Sequence, residues 1–182
     1  MYTKSVQPAQ LQSSRAQTLD LSVTKAPEGP TKDVQIQRIS EPSHPAHGQS
    51  GLFAARDLKP NTFICFYLGL VHGAGDTDPA SNYDLSLDPE LHIGVDATKM
   101  GNEARFVNDY RGIRTAGPNA EFRDCLLDLG SGLLEKSIGV FVLTAGKKGG
   151  KQTKGIGKGE EILVSYGKGF WSHRRVEEKS IE

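Results

Sequence analysis

Little in this chain invites a metal, a disulfide or a membrane. Two cysteines occur in 182 residues and they form no C-x-x-C pair, which excludes a cysteine-rich zinc cluster. Cys65 lies inside the apolar run Phe63-Ile64-Cys65-Phe66-Tyr67 and reads as a small core residue. The five histidines show no metal-ligand spacing on a helix face. The pair His44 and His47 shares a proline-rich loop and reads as surface, so no metal is expected. No apolar run approaches the ~20 residues of a membrane span, and nothing resembles a leader. The expectation is a soluble intracellular protein of the nucleus or cytoplasm. Neither sign of charge is in excess, with 22 Lys+Arg against 22 Asp+Glu, so no direct nucleic-acid or membrane binding is expected from bulk attraction. The G-x-S-x-G elbow of many hydrolases is absent. The Gly/Lys-rich stretch 147–159 holds a G-x-G, but no strand feeds it and no helix pattern follows, so it reads as a solvated loop.

What is present is a succession of short strand patterns. A domain of this size buries about two-thirds of its unfolded surface and needs no staples. Residues 1–33 are rich in Gln, Ser, Thr, Pro and Lys and read as a mobile N-terminal tail, although "LDLSV" at 19–23 has the pattern to join a sheet edge. From Val34 the pattern changes. "VQIQRI" alternates, with Val34 and Ile36 sharing a face. "TFICFYLGLV" reads as a buried strand, and "NYDLSLD" alternates with Tyr83, Leu85 and Leu87 on one side. Asp96 is placed to cap a brief helix running to Arg105. "PNAEFRDCLLDL", "SIGVFVLTAG" and "EEILVSYG" complete seven to nine strands with little helix, the mark of a mainly β domain. The expected division is a tail over 1–33, a domain over 34–175 and a C-terminal tail over 176–182.

One stretch, "GNEARFVNDYRG" at 101–112, sets a polar knot (Asn108, Asp109, Tyr110, Arg111) directly after apolar Phe106 and Val107. It is either a surface turn or the wall of a site. Four segments in order decide between these: "GQSGLFAARDL", "NYDLSLD…VDATKMGNEARFVNDYRG…PN", "GVFVLTA" and "GKGEEILVSYGKGFW". In that order they resemble the SET-domain protein lysine methyltransferases, from about Gly48 to Trp171. The likeness is greatest to small stand-alone members that lack cysteine-rich flanking segments. It implies a β-clip fold with a C-terminal pseudoknot, S-adenosylmethionine as cofactor, and a lysine of a histone tail or non-histone protein as substrate. The alternative implied is a degenerate SET-like module that binds a protein or peptide without methylating it.

The resemblance also assigns residues. Gln49, Ser50, Gly51, Leu52 and Phe53 match the cofactor-binding strand start. Arg105, Phe106, Asn108 and Asp109 match the cofactor wall, with Asn108 toward the amino-acid portion and Asp109 acting through its backbone, or else through a carboxylate that pairs with Arg111 or Arg114 to brace the knot. Tyr166 matches the catalytic tyrosine, and Tyr83 the tyrosine that faces both cofactor and lysine. Phe122 and Val164 match positions that shape the lysine channel, or are plain core. Phe170 and Trp171 lie where an aromatic meets the adenine, or plug the core. Three departures stand out: Gln49 replaces the first glycine of G-x-G, Asp109 replaces a histidine, and Tyr110-Arg111 replace two small residues.

Overall fold

The computed structural model describes residues 21–144 and 154–167. Eleven strands carry the fold: β1 (Val23–Lys25), β2 (Val34–Arg38), β3 (Ser50–Ala54), β4 (Phe63–Tyr67), β5 (Leu70–His72), β6 (Asp84–Asp88), β7 (Ile93–Asp96), β8 (Asn108–Asp109), β9 (Ala120–Asp128), β10 (Leu134–Val142) and β11 (Leu163–Val164). They form a four-stranded sheet in the order β1-β9-β10-β4, a three-stranded sheet β5-β7-β6, and the pairs β2-β3 and β8-β11. The chain is mainly β, as the strand patterns predict, with more and shorter strands than alternation alone delimits.

Period-two geometry explains how "SIGVFV" is buried along its whole length. Ile138, Val140 and Val142 face the main core, while Phe141 turns to the opposite side and joins Phe66 and Cys125 in a second cluster. Apolar residues are therefore needed on both faces of β10. Cys65 is buried in the main cluster, and burial raises its thiol pKa to about 12. Tyr83 and Leu85 pack against the same cluster as Leu87, in line with the alternation of "NYDLSLD".

Several local expectations need correction. Val34 is buried but Ile36 is 45% exposed, because alternation tells which residues share a face and not how much of that face is covered. Asp96 caps no helix. Its Oδ1 accepts from the Thr98 amide at 2.8 Å and the Ser81 hydroxyl at 2.8 Å, closing a turn, and only a 3-10 turn follows at Glu103–Phe106. Within the stretch assigned by composition to a tail, Val23–Lys25 pairs in parallel with Leu126–Asp128 at the edge of the sheet, the place that the pattern of "LDLSV" allows for its last residue.

The C-terminal part returns through the centre. Leu58 and Ile156 exchange backbone hydrogen bonds of 2.8 and 2.9 Å. Gly155 makes that approach possible, since it sits at φ +95° and any Cβ would collide with the Leu58 carbonyl. β11 contributes two ladder pairs, Leu163 with Asn108 and Val164 with Asp109, in parallel. So short a pairing is marginal alone, but Ile162 and Val164 are fully buried, each worth about 1.5–3 kcal/mol. Asn119 grips the other side of the segment. Its Nδ2 donates to Glu161 O at 2.8 Å and its Oδ1 accepts from Leu163 N at 2.8 Å. Residues 161–166 are thus held between β8 and Asn119, the crossing expected of the pseudoknot.

Candidate functional site

The polar knot begins as buried strand and ends in a half-exposed turn. Asp109 is 7% exposed, and its carboxylate accepts from three donors: Arg111 N at 2.9 Å, Arg111 Nη1 at 2.7 Å and Tyr166 N at 2.8 Å. Of the two expectations for Asp109, the one the side chain meets is the pairing with Arg111 that braces the knot. The carboxylate ties the β8 strand to the residues that follow β11, and Arg111, whose guanidinium also lies 5.0 Å from the Tyr110 ring centre, supplies the matching charge. Two of the departures in "NDYRG" therefore answer each other.

Tyr166 is fixed at both ends. Its amide is held by Asp109, and its hydroxyl donates to the Val107 carbonyl at 2.7 Å. A phenol that donates its proton this way meets any further N–H as an acceptor.

Beside it lies an aromatic group. Tyr67 stacks edge-on to Phe122 with centroids 5.5 Å apart, and its hydroxyl donates to the Tyr83 carbonyl at 2.6 Å. Burial, and then the nearness of Tyr166, Asp96 and Tyr83, push the Tyr67 hydroxyl pKa far up. The Arg105 guanidinium sits 4.6 Å from the Tyr83 ring centre and 5.2 Å from that of Phe106, with its Nε donating to Ala97 O at 3.0 Å.

On the other side of β8, the Asn108 Nδ2 donates to Glu161 Oε1 at 2.8 Å and toward Ser50 O at 3.4 Å. Glu161 Oε2 meets His44 Nε2 at 3.0 Å. Gly51 lies against this group. A Cβ there would stand 2.6 Å from Glu161 Oε1 and 3.2 Å from Asn108 Nδ2, so glycine is the residue that lets β3 approach.

A family model described as SET domain matches residues 49–167. The chain belongs to the SET-domain family. No curated protein matches. Among solved structures, a chain of apo ctPRC2 carrying two mutations in Ezh2 aligns with a TM-score of 0.54 and 22% identity over 78% of this chain. The aligned part is 16% of that chain, and at this identity the likeness speaks for the fold alone.

Within this SET domain, the motif residues fall into two neighbouring groups joined by β8. Ser50, Gly51, Asn108 and the backbone of Phe53, which bridges to Glu161, make one. Tyr83, Arg105, Phe106, Phe122, Val164 and Tyr166 belong to the other, with Tyr67 among them. Leu52 and Val164 are fully buried, so Leu52 offers a ligand only its backbone. Gln49 is exposed, next to Gly48 at φ +80°. Trp171 and Phe170 lie outside the described residues. A separate groove of about 1060 Å³ runs between Pro30, Phe63, Cys65, Lys99 and Glu103, and of the residues assigned to the cofactor or the lysine channel only Arg105 and Phe106 reach it. Among the described residues no cluster of three metal-ligating side chains occurs, and no helix is long and apolar enough to cross a membrane.

Four contributors escaped the sequence. Glu161 stands in "GKGEEILVSY", where the resemblance gives it no role, and His44 lies in a loop whose sequence suggests at most a metal ligand. Asn119 is a single letter of the motif, and Tyr67 has the pattern of strand core. The second glutamate of the motif was the one usable signal.

Proposed function

We propose that this SET domain is a protein-lysine N-methyltransferase that uses S-adenosylmethionine, acting in the nucleus or cytoplasm on a lysine of a histone tail or a non-histone protein. The observation that carries the proposal is the doubly tethered Tyr166, whose hydroxyl is committed to Val107 as donor and therefore meets an amine as acceptor. The residues present also fit the cofactor. Gly51 lets the start of β3 approach Asn108 and Glu161, and the Asn108 side-chain oxygen, turned away from Glu161, is one that no described residue engages.

When bound, S-adenosylmethionine supplies an electrophilic methyl on a sulfonium. Ser50, Gly51, Phe53, Asn108 and the Asp109 backbone would hold its amino-acid and adenosine parts, with Tyr83, Arg105 and Phe106 alongside. The protein's task at the other reactant is to hold a lysine as a free amine. A lysine titrates near about 10.4, so deprotonation at pH 7 costs roughly 4–5 kcal/mol. The apolar surround of Phe122, Val164 and Tyr67 lowers that cost by disfavouring ammonium. Tyr166 would accept one amine N–H and aim the nitrogen lone pair, and its two tethers spare the reorganisation that a loose side chain requires.

The test is Tyr166→Phe. Methylation of extract proteins, with mass-spectrometric mapping, first identifies a substrate for the wild type. On that substrate the variant's rate is expected to fall about 10²–10⁴-fold, while calorimetric titration with the cofactor is unchanged. Equal rates would refute the role of Tyr166. A wild type that binds the cofactor yet methylates nothing would favour the degenerate binding module instead.

A further inference from the structure

We propose that Glu161 and His44 are positioning residues that lock the Asn108 amide in one of its two orientations, so that the site selects a ligand bearing an ammonium group. The inference rests on the cofactor reading above and deepens it.

An asparagine amide presents nitrogen on one side and oxygen on the other, and which way it points follows from its neighbours. Here the neighbours leave one choice. Asn108 Nδ2 faces Glu161 Oε1 at 2.8 Å and Ser50 O at 3.4 Å, both acceptors. Glu161 is held in turn by His44, whose ring polarity is also determined. The Ala46 amide donates to His44 Nδ1 at 3.0 Å, which puts the ring proton on Nε2, the atom 3.0 Å from Glu161 Oε2. Proton donors therefore run in one direction, from His44 to Glu161 and from Asn108 to Glu161, and the carboxylate is the acceptor for both. The His44 and Glu161 side chains are each only 9% exposed, so water competes little for these bonds.

The consequence is at the far side of Asn108. Its Oδ1 points away from Glu161 and has no hydrogen-bond partner among the described residues. An outward oxygen accepts from an ammonium and repels a carboxylate. An outward nitrogen would do the reverse. The amino-acid end of S-adenosylmethionine carries both groups, and the orientation of one amide decides which of them sits here. Glu161 also adds a negative charge one side chain behind that oxygen.

Replacing the carboxylate by an amide breaks the logic. Glu161→Gln has one acceptor for two donors. His44 Nε2–H cannot switch tautomer while Ala46 N–H occupies Nδ1. The glutamine oxygen then goes to His44, its nitrogen faces Asn108, and Asn108 turns over, giving up the longer 3.4 Å contact with Ser50 O to keep the shorter one. Removing the His44 donor as well frees the glutamine oxygen for Asn108 and restores the original orientation.

The experiment is calorimetric titration with S-adenosylhomocysteine and with its analogue lacking the amino group. Wild type is expected to prefer the amine-bearing ligand by about ten- to a hundred-fold, the range for a hydrogen bond to a charged group. In Glu161→Gln the ratio is expected to shrink to about three-fold or less. In His44→Leu/Glu161→Gln it is expected to return most of the way to the wild-type ratio, a rescue that a merely structural role would not produce. Equal wild-type affinities for the two ligands overturn the proposal without any variant. An undiminished ratio in Glu161→Gln that is folded by circular dichroism overturns it too, and leaves the cofactor reading standing. Wild type that binds neither ligand overturns both.

Discussion

Asp109→Asn changes one oxygen to NH2 and leaves the shape of the side chain intact. In the wild type, Oδ1 takes the Arg111 amide, and Oδ2 takes both the Tyr166 amide and the Arg111 guanidinium. Asparagine keeps two of these only if its nitrogen turns toward Arg111 N–H, where donor then meets donor. Leaving that amide without an acceptor costs about 1–3 kcal/mol. The ion pair adds little, since the Arg111 side chain is 37% exposed and such pairs contribute roughly 0–1 kcal/mol. A loss of about 1–4 kcal/mol follows. For a chain of this length that corresponds to a fall in Tm of roughly 2–16 °C. Scanning calorimetry of wild type, Asp109→Asn and Arg111→Gln separates the contributions, because Arg111→Gln keeps both backbone donors and is expected to lose only a small fraction of that shift. A Tm for Asp109→Asn within about 1 °C of wild type would refute the bracing role and return Asp109 to its backbone.

Gly51→Ala puts a methyl 2.6 Å from Glu161 Oε1 and 3.2 Å from Asn108 Nδ2, and overpacking of this kind costs about 1–3 kcal/mol. Cofactor affinity is expected to drop at least about ten-fold, and a folded variant that binds within two-fold of wild type by calorimetry would contradict the close approach of β3. His72 provides a pH dependence. Its pKa is raised, first by the 2.9 Å hydrogen bond to Asp84 and further by the Gly73 carbonyl at 3.1 Å, both acceptors that favour the doubly protonated ring. A raised folded value means stability that is fully present below the unfolded pKa of about 6.5 and lost as pH rises through the folded one. The Tm gap between wild type and His72→Gln is therefore expected to be widest in acid and to close toward pH 8.5, and a gap constant from pH 5.5 to 8.5 would exclude the pair as its source.

The family and its fold were legible because they are written in local strings, such as "SGLFA", "ARFVND" and "GEEILVSY", whose order survives without coordinates. The strands of the central sheet were legible for the same reason, since alternation is a property of neighbours in sequence. Partnerships were not. His44 and Glu161 are 117 residues apart, and nothing near either one announces the other. Ile36 illustrates a second limit, because period two sorts residues by face but says nothing of how far a neighbouring segment covers that face. Asp109 illustrates a third. Its neighbour Arg111 is a partner that the sequence offers two residues away, but the Tyr166 amide, 57 residues on, is one that a motif treats as a separate letter.

The pairing of β8 with β11 also has a meaning in time. Every bond that builds the site across it joins distant parts of the chain: 53 residues separate Asn108 from Glu161, 57 separate Asp109 from Tyr166, and 59 separate Val107 from Tyr166. Contacts this distant close late, because the entropy of the intervening loop must be lost before they return anything. A nascent chain that has emerged only as far as residue 142 already contains β1 through β10 and can complete its large sheet. It has no Glu161 to orient Asn108 and no Tyr166 for Asp109 to hold. On the function proposed, recognition arrives in a single step when β11 threads home, and an incomplete or misthreaded copy of this domain would be silent rather than partly active.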